Sequence, residues 1–470
     1  MKDIELVFRT IGERTSEIAL EFAIKNIKPK KVHLIKNIKP FSKTMKHILQ
    51  IPFKGDYIVF MDADCIIMEN IRPFLNINDK AYVDCFVIDK FRGNVHTGVH
   101  ITRRDIVEEM TKIKIYNDDL KYILRPESRT RNLALNHLNE DKSFKRFRIF
   151  HDFFQFYEDI YVKYALRELK SRSEHRRLRL NFCMNNWRND DLDYILAKKA
   201  IKYTRNQIPH ETSSYEIENF IKELPKIAHR ELKNLKLNEK KPLKNQEVLD
   251  LRVAYNTIKQ TNQNKKIFCI GLSRTGTKSL TVALYILGYN ILHYPYNQDT
   301  LEALYNGTYN FNLLNDYDGI SDITVSPYYA QLDKLYPNSK FILSLRDKEA
   351  WLKSFEAHWE NRDPFNEPNK SETYMKIRRF LRASVYGTYK YNRERMSYVY
   401  DLHVKNVLEY FKNRPSSLLI INIFEKNAWK HLCKFLNVSN MDGPFPNVKT
   451  NEQLSKLSNF YSYKKIKNKS

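Results

Sequence analysis

The stretch KIFCIGLSRTGTKSL (residues 266–280) decides the fold of the second half of the chain. Its apolar run, Ile267 to Ile270, is typical of a buried strand and ends at Gly271, and the residues from Lys278 onward have helical apolar spacing. In a strand, loop and helix of this kind, backbone N–H groups converge on a phosphate or sulfate, which the helix dipole also favours. The stretch therefore predicts an α/β unit with an anion site.

The loop itself carries the groups that we expect to bind the anion. Hydroxyls, cations and a flexible glycine follow one another, and they are Ser273, Arg274, Thr275, Gly276, Thr277, Lys278 and Ser279. A Walker A loop reads G-x-x-x-x-G-K-[ST]. Gly271 and Gly276 have that spacing, but Thr277 stands at the position of the lysine and Lys278 comes one residue late. The loop is thus related to nucleotide-triphosphate loops but departs from their metal–ATP chemistry.

Further blocks in the same order extend the pattern. The segment KFILSLRDKEAWLKSF (residues 340–355) is a strand that ends in Arg-Asp, followed by Trp and Ser, and Tyr391-Asn392, His403 and Phe445-Pro446-Asn447 come later. Residues 265–455 resemble the sulfotransferases that use 3′-phosphoadenosine-5′-phosphosulfate (PAPS). The resemblance implies a P-loop-like fold, a phosphosulfate on the loop, and Arg346 and Ser354 on the 3′-phosphate.

The chemistry of that site depends on one departure from the family pattern and on which residue acts as the base. The family has a lysine where this chain has Arg274, so we expect Arg274 to neutralise the leaving phosphate without protonating it. The base that takes the acceptor proton has two candidates, His293 and Asp322, which both follow short predicted strands. Histidine has the better ordinary pKa for this role, whereas an aspartate needs burial to raise its pKa. Both candidates stay open at this point.

The first half of the chain alternates strand and helix signals from residue 4 to residue 100, which predicts a doubly wound sheet. Its third strand, Tyr57 to Met61, ends in Asp62-Ala63-Asp64. Two carboxylates at the carboxyl end of a strand can hold a hard divalent cation that bridges phosphates. This placement resembles the D-x-D motif of GT-A glycosyltransferases. The resemblance implies Mn²⁺ or Mg²⁺ on Asp62 and Asp64, with a nucleotide-diphosphate sugar as donor.

Other residues of the first half fit such a donor site. Arg9, Thr10 and Arg14 lie around the end of the first strand, where these enzymes hold the nucleotide, although residues 13–15 also suit a helix cap. The segment 96–101 resembles the strand near the acceptor. We expect residues 151–159 to open a helix, with His151 and Asp152 as a base or a completing metal ligand; the alternative is a capped helix with aromatic core positions.

Composition restricts the partners and the compartment. With 80 Lys+Arg against 55 Asp+Glu, the net charge of +25 favours anionic partners, and the equal alternative is that the excess charge is mostly solvated surface. No nucleic-acid motif accompanies the charge, so specific nucleic-acid binding is not expected. Five dispersed cysteines predict reduced, buried thiols. No long apolar run and no signal-peptide layout is present, so we expect a cytoplasmic protein whose charge allows peripheral membrane contact.

Together these features predict two doubly wound Rossmann-like α/β domains: a GT-A-like domain at 1–185 and a sulfotransferase domain at 265–470. A helical, basic linker would occupy 186–264. The expected function is bifunctional glycan modification: glycosyl transfer by the first domain and PAPS-dependent sulfuryl transfer by the second. Nucleotide donors and a glycan acceptor, either anionic or lipid-linked, are the expected partners. The alternatives are a single sulfotransferase with a non-catalytic glycan- or nucleotide-binding module, and a P-loop kinase.

Overall fold

A computed structural model describes residues 1–116, 118–262, 265–360, 362–368, 370–450 and 453–454. The chain divides into two compact units, Met1–Thr257 and Ile258–Ser470. The domain limits near residues 185 and 265 stay a prediction. Among the described residues, no helix combines the length and the apolar character that a membrane span requires. All five cysteines are buried and free of disulfide bonds, as the sequence predicts.

The described part of the first unit contains seven strands and eleven helices. The strands are β1 (Ile4–Thr10), β2 (Lys31–Lys36), β3 (Tyr57–Asp62), β4 (Cys65–Ile67), β5 (Tyr82–Asp89), β6 (Gly93–Arg103) and β7 (Lys142–His151). The helices are α1 (Ser16–Ile27), α2 (Phe41–Ile48), α3 (Arg72–Ile77), α4 (Arg104–Lys112), α5 (Leu120–Leu124), α6 (Pro126–His137), α7 (Tyr157–Leu169), α8 (Glu174–Asn186), α9 (Leu192–Gln207), α10 (Ser214–Asn234) and α11 (Asn245–Asn262).

These seven strands form one mixed sheet in the order β2-β1-β3-β6-β5-β7-β4. The strands β2, β1 and β3 run parallel, as the alternation of strands and helices predicts. The strand β6 then pairs antiparallel with both β3 and β5. The α/β class is therefore confirmed, and the Rossmann-like part of the sheet is the half that ends in Asp62. Because β1 and β3 are parallel neighbours, their carboxyl ends bring Arg9 opposite Asp62.

The strand β7 lies between helices, in a region from residue 104 to residue 234 that is otherwise mainly helical. It pairs with β5 on one side and β4 on the other, so its backbone groups are satisfied by two neighbours far away in sequence. Its four basic residues, Lys142, Lys145, Arg146 and Arg148, conceal the apolar alternation. His151 ends this strand, Asp152 has a left-handed backbone (φ 64°), and α7 begins only at Tyr157. The expectation that His151 and Asp152 open a helix is wrong.

The helices α7 to α10 belong to the first unit. They pack around an apolar cluster that includes Tyr161, Tyr164, Trp187 and Leu224, all of them buried. The face of α7 that covers this cluster is therefore apolar. Its opposite charge-bearing positions, Lys163 and Arg167, remain half-buried and lie near the carboxyl ends of the strands.

The described part of the second unit has five strands, β8 (Ile267–Cys269), β9 (Ile291–His293), β10 (Gly319–Ser321), β11 (Lys340–Leu345) and β12 (Leu418–Asn422). Its helices are α12 (Thr277–Ile286), α13 (Gln298–Tyr305), α14 (Tyr329–Leu335), α15 (Lys348–Trp359), α16 (Glu372–Leu381), α17 (Arg393–Phe411) and α18 (Ala428–Leu436). Short 3-10 helices span Asn312–Asn315, Ser326–Tyr328 and Pro415–Ser417, and a π-helical turn spans Arg382–Tyr386.

All pairs of the second sheet are parallel, in the order β12-β11-β8-β10-β9. The strand positions that the sequence predicts are confirmed. The carboxyl ends of parallel strands lie along one edge, where open α/β sheets bind ligands. The loop after β8, His293 at the end of β9, Asp322 after β10 and Arg346 after β11 therefore come to the same edge.

Candidate active sites

The backbone of the loop after β8 requires glycine at two positions. Arg274 and Gly276 adopt left-handed conformations, with φ angles of 74° and 94°. A Cβ atom on Gly271 would lie 2.0 Å from Ser344 Oγ, and one on Gly276 would lie 2.1 Å from a side-chain carbon of Ile423. Neither position tolerates a larger residue without rearrangement. The two glycines thus let the loop fold closely against β11 and the end of β12.

A cavity of about 320 Å³ lies in front of this loop. Eight of the residues that the sequence predicts for the donor site line it: Ser273, Arg274, Gly276, Thr277, Lys278, Ser279, Arg346 and Ser354. Thr275 is the exception among the predicted loop residues. Its hydroxyl donates to Leu272 O (2.7 Å) and lies 2.7 Å from Ser344 Oγ, so it supports the loop from behind.

Contacts across the cavity join the two predicted phosphate-binding segments. Arg274 Nε donates a hydrogen bond to Ser354 Oγ at 3.1 Å, and Arg346 Nη1 donates to Arg274 O at 3.4 Å. Trp351 Nε1 donates to Ser273 O at 2.9 Å, which fixes α15 against the loop. The segments 273–279 and 346–354, distant in sequence, therefore form one wall of one cavity.

Several cations line the cavity, and Arg274, Lys278 and Arg346 have no ion-pair partner among the described residues. Burial lowers the pKa of Lys278 to about 8. Burial also lowers the pKa of Arg274, and the neighbouring Arg346 and Arg362 add to the effect. For His358, burial followed by the charges of Arg362 and Arg274 lowers the pKa to about 3, so its ring is neutral at pH 7. Mutual repulsion among buried cations is relieved when an anion binds between them.

His293 and Asp322, the two predicted base candidates, are in contact. His293 Nε2 lies 2.9 Å from Asp322 Oδ2 and 3.1 Å from Thr277 Oγ1. Asp322 also accepts hydrogen bonds from Ser273 Oγ (2.6 Å) and Thr277 Oγ1 (2.8 Å). Burial opposes its charge, but His293 and these donors hold the pKa of Asp322 well below its usual range. Burial lowers the pKa of His293. The two residues act as one polar pair on the cavity wall.

The cavity also includes residues that were not singled out from the sequence. They are Tyr294, Ile323, His358, Arg362, Arg378, Arg382, Tyr386, Phe424, Val448 and Lys449. Arg378 and Arg382 are four residues apart, so their shared helical face was a usable signal. Arg362 follows α15 without any motif around it. Val448 N donates to Ser279 Oγ (2.9 Å), a contact over 169 positions that no local pattern reveals.

The predicted D-x-D motif of the first unit lies at the carboxyl end of β3, and each carboxylate contacts a cation of the chain. Asp62 accepts a hydrogen bond from Arg9 Nε at 2.6 Å, and Arg9 also pairs with Glu127. Asp64 Oδ2 contacts Lys163 Nζ, which contacts Asp152 as well. Arg9 is thus buried in a structural ion pair, while Lys163 joins the motif to the residue after β7.

His151 lies beside this cluster. Its Nδ1 is 2.8 Å from Asp89 Oδ2 and 3.3 Å from Asp152 Oδ2, and its Nε2 is 3.6 Å from Asp64 Oδ1. Asp89 also accepts from Arg92 Nη2 at 2.6 Å. The structure therefore brings His151 and Asp152 to the motif, as the sequence predicts, although through a strand end and a loop.

Thr10 and Arg14 contact neighbours within the first unit. Thr10 Oγ1 donates to Glu13 Oε2 at 2.7 Å. Arg14 Nε donates to Lys241 O at 2.6 Å, and its Nη2 lies 3.2 Å from Glu247 Oε1. Thr15 is the N-cap residue of α1 but makes no side-chain cap hydrogen bond, because its hydroxyl donates to Ala63 O at 2.6 Å. The role of Thr10 and Arg14 in nucleotide binding stays a prediction.

A divalent ion is a poor fit to the motif in this arrangement. Metal ions need carboxylate oxygens that are free to coordinate. Here the charge of Asp62 is compensated by Arg9 and that of Asp64 by Lys163. Among the described residues, two groups have ligand atoms close enough for a metal, Asp64 with Cys65 and His151, and Asp89 with His96 and His151. Both share His151, and burial raises the pKa of the Cys65 thiol well above its usual range, which keeps it protonated. Metal binding by Asp62 and Asp64 stays a prediction.

Two further cations lie near the motif. Arg167 is one turn after Lys163 on α7, and Lys170 is the residue that ends the helix. Burial lowers the pKa of Arg167 to about 10, with Arg92 contributing. Burial, followed by Arg167 and Arg125, lowers the pKa of Lys170, whereas Asp62 opposes that shift. Within the described residues, neither side chain has an ion-pair partner.

Comparison with known proteins assigns the second unit. Residues 266–454 match the family model described as "Sulfotransferase domain". A protein of Aspergillus versicolor, "Ava biosynthesis cluster protein M", is 23% identical over 220 residues, which is 40% of this chain and 82% of that protein. The C-terminal half therefore contains a sulfotransferase domain, and the resemblance stated from the sequence is confirmed.

Solved structures similar to the chain include glycosyltransferases. A mannosyltransferase from Pyrobaculum calidifontis, in complex with GDP-Man and Mn²⁺, is 9% identical with a TM-score of 0.26, covering 61% of this chain and 87% of that one. A glycosyltransferase involved in the glycosylation of the major capsid of PBCV-1 is 10% identical with a TM-score of 0.23, covering 32% of this chain and 94% of that one. Both likenesses are weak.

Proposed function

We propose that the second unit transfers a sulfuryl group from PAPS to a hydroxyl group, most simply that of a carbohydrate. One observation carries this proposal: the loop 273–279 and the segment with Arg346 and Ser354 line a single cavity, and Arg274, Lys278 and Arg346 have no ion-pair partner among the described residues. A donor with a 3′-phosphate and a 5′-phosphosulfate matches two separate anion sites on one wall. Magnesium-dependent phosphoryl transfer is disfavoured, since Lys278 stands one residue after the position that a Walker A lysine occupies.

The residues around the cavity suit the steps of such a transfer. The acceptor oxygen forms a bond to sulfur while the bond from sulfur to the 5′-phosphate oxygen breaks, leaving adenosine 3′,5′-bisphosphate. The acceptor proton passes to the pair formed by His293 and Asp322, whose atoms are 2.9 Å apart at the cavity wall. Arg274 keeps its charge and stabilises the negative charge that grows on the leaving phosphate.

For the first unit we propose glycosyl transfer from a nucleotide-diphosphate sugar, so that the whole chain modifies one class of glycan in two steps. The supporting observation is the cluster of Asp62, Asp64, His151, Asp152 and Lys163 at the carboxyl edge of a sheet whose Rossmann-like half ends there. Two active units on one chain raise the effective concentration of the shared intermediate. The second candidate is a non-catalytic glycan- or nucleotide-binding module, which the internal pairing of these charges favours.

Binding of adenosine 3′,5′-bisphosphate to the full chain in EDTA tests the second unit. We expect micromolar or tighter binding without magnesium, and transfer of ³⁵S from labelled PAPS to at least one carbohydrate of a panel of neutral and uronic-acid acceptors. The matched comparison is ATP with magnesium. Tighter binding of ATP with magnesium, together with phosphoryl transfer, would replace the sulfotransferase by a kinase.

Turnover of nucleotide sugars tests the first unit independently. We expect hydrolysis or transfer of a uridine- or guanosine-diphosphate sugar by the full chain, and its loss in Asp64→Asn. Asp190→Asn, an exposed carboxylate of the same unit, is the control. If nucleotides bind but no sugar is released by either protein, the module is the correct interpretation.

A further inference from the structure

We propose that the first unit binds the diphosphate of its donor with cations of the α7 face, Lys163, Arg167 and Lys170, in place of a divalent metal ion. The inference rests on the proposed donor of this unit and names how that donor is held. It departs from what the D-x-D motif alone implies.

The ammonium group of Lys163 contacts the carboxylate that a metal ion would have to bind. Its Nζ contacts Asp64, the second carboxylate of the motif, and also Asp152, which β7 presents from the other side. A cation shared by two carboxylates is the arrangement that a divalent ion adopts between ligands from different elements. A covalently attached ammonium group supplies the same local positive charge without a binding equilibrium of its own. The side chain is 25% exposed, so a ligand can reach it.

Arg167 and Lys170 extend this charge along the helix. Positions 163, 167 and 170 follow the spacing i, i+4, i+7, which places them on one face of α7 and its end. Because burial and neighbouring cations oppose their charges, while no carboxylate of the described residues pairs with them, they gain most from an anionic ligand. Lys170 lies within electrostatic reach of Asp62, so this face points toward the end of β3.

The balance of charge favours an anion at this place. The group of Asp64, Asp152 and Lys163 has two carboxylates and one ammonium, which leaves one negative charge. Arg167 and Lys170 add two basic side chains that have no ion-pair partner among the described residues. Arg9 with Asp62, Arg131 with Glu127, and Arg92 with Asp89 are already paired, and Asp159, one turn before Lys163, is a further carboxylate of this helix. A divalent cation would add to the repulsion among the unpaired cations, whereas a diphosphate relieves it.

The experiment measures binding of GDP and UDP to the full chain by calorimetry. Saturating adenosine 3′,5′-bisphosphate occupies the second unit, and parallel titrations contain EDTA or MnCl₂. We expect at least one of the two nucleotides to bind in EDTA with a Kd within about threefold of that in MnCl₂. Each of Arg167→Gln and Lys170→Gln should weaken binding about tenfold or more, the usual scale for a charge-assisted hydrogen bond to phosphate.

Two exposed cations of the same unit provide matched controls, Arg230→Gln and Lys202→Gln, which should leave binding unchanged. The test variants remove unpaired cations and should fold, which circular dichroism and a thermal melt check. Binding that appears only with MnCl₂ overturns the inference while the nucleotide-sugar donor stands. Binding in EDTA that neither variant weakens also overturns it. Absence of binding with and without MnCl₂ overturns both the inference and the proposed donor.

Discussion

The two units place polar residues at the carboxyl ends of parallel strands, but they treat charge in opposite ways. In the second unit, Arg274, Lys278 and Arg346 surround a cavity and have no carboxylate partners among the described residues. In the first unit, Asp62 pairs with Arg9 and Asp64 with Lys163. Both edges have the topology of a ligand site. Among the described residues, it is the edge of the second unit that combines a cavity with cations that lack ion-pair partners.

Whether the charged side chains are paired with each other distinguishes a ligand site from a strand end that only has the residue types of one. Buried like charges without partners destabilise the fold, so their retention indicates a ligand that neutralises them. Paired charges need no ligand to be stable, and a ligand must use whatever charge is left over. The cations of the second unit therefore favour a polyanionic ligand, and in the described part of the first unit Arg167 and Lys170 are the cations that would favour one.

The largest expected effect tests the chemistry of the second unit. Replacing either partner of the polar pair, in His293→Ala and Asp322→Asn, should reduce PAPS turnover at least ~100-fold, the usual scale of a general base. Both variants should lose activity because each residue fixes the position and proton of the other. Initial rates with saturating PAPS and bisphosphate affinity, measured on the same samples, separate catalysis from binding.

The controls are His431→Ala and Asp299→Asn, which change the same residue types at exposed positions of the second unit. They should retain full turnover. If neither cavity variant loses ~100-fold, neither residue is the base. If only one does, that residue takes the proton and the other has no essential part in the transfer.

The next largest effect concerns Arg346, which we expect to bind the 3′-phosphate of the donor. Arg346→Ala should weaken binding of adenosine 3′,5′-bisphosphate about tenfold to a hundredfold, since a charge-assisted hydrogen bond contributes about 1.5–3 kcal/mol. Arg346→Lys should recover only part of the loss, because a lysine lacks the planar, two-pronged guanidinium. Adenosine 5′-phosphate, which has no 3′-phosphate, should bind both proteins with similar affinity.

Arg414→Ala is the matched control, since that arginine pairs with Asp333 and lies just before β12, at the opposite end of the strands from the loop. Equal losses for the bisphosphate and for adenosine 5′-phosphate in Arg346→Ala would contradict a specific contact with the 3′-phosphate. In that case Arg346 contributes only general positive charge.

The contrast between the units also explains what the sequence could predict. The loop 271–279 is contiguous, so its strand, glycines and helix start are all visible in one stretch, and the structure places most of its polar residues on the cavity wall. The parallel β-strands of the second unit then bring Asp322 and Arg346 to the same edge by topology alone. Local chemistry combined with a simple sheet rule was sufficient there.

The first unit depends on contacts that no local pattern reveals. Lys163 meets Asp64 across 99 positions, and it does so only because β7 forms a strand between β5 and β4. The basic residues of β7 conceal its apolar alternation, and residues 151–159, predicted to open a helix, instead include the end of this strand. In the sequence, Lys163 begins a basic stretch that extends to Arg179, a pattern more typical of a solvated helix face than of a buried site. Which charges are paired is a property of tertiary structure, and the sequence shows only which charges exist.

A smaller effect sharpens the comparison through pH. Burial lowers the pKa of Lys278 to about 8 in the free protein, and a bound polyanion favours its protonated form. Binding above pH 8 must then take up a proton, so affinity for adenosine 3′,5′-bisphosphate should fall as pH rises, by about tenfold at most per pH unit for one proton. The ligand phosphates, with second pKa values near ~6, are already ionised in this range.

Titration calorimetry between pH 7 and 9.5 measures this dependence. Lys278→Met should bind more weakly at pH 7 and show a flatter pH profile, while the exposed Lys334→Met should match the unchanged protein. Apparent enthalpies in two buffers of different ionisation enthalpy report the proton uptake directly. A profile equally steep in Lys278→Met would assign the titration to another group.

The smallest expected effect tests the first unit, where charge is mostly compensated. Asp159 lies one turn before Lys163, and burial, followed by the charge of Glu13, raises its pKa to about 7. An aspartate whose pKa is raised by folding binds its proton more tightly in the folded state. Stability is therefore lost as pH rises from about 4, the unfolded pKa, through 7.

Asp159→Asn removes this loss of stability. Its melting temperature should exceed that of the unchanged protein by a few degrees at pH 8, since ~1 kcal/mol corresponds to about 2–4 °C at this size, and by less at pH 5. Asp190→Asn, an exposed carboxylate, should show no pH-dependent difference. An equal gain in melting temperature at pH 5 and pH 8 would mean that ionisation of Asp159 does not destabilise the fold. The charges of the first unit would then be neutralised even more completely than its ion pairs indicate.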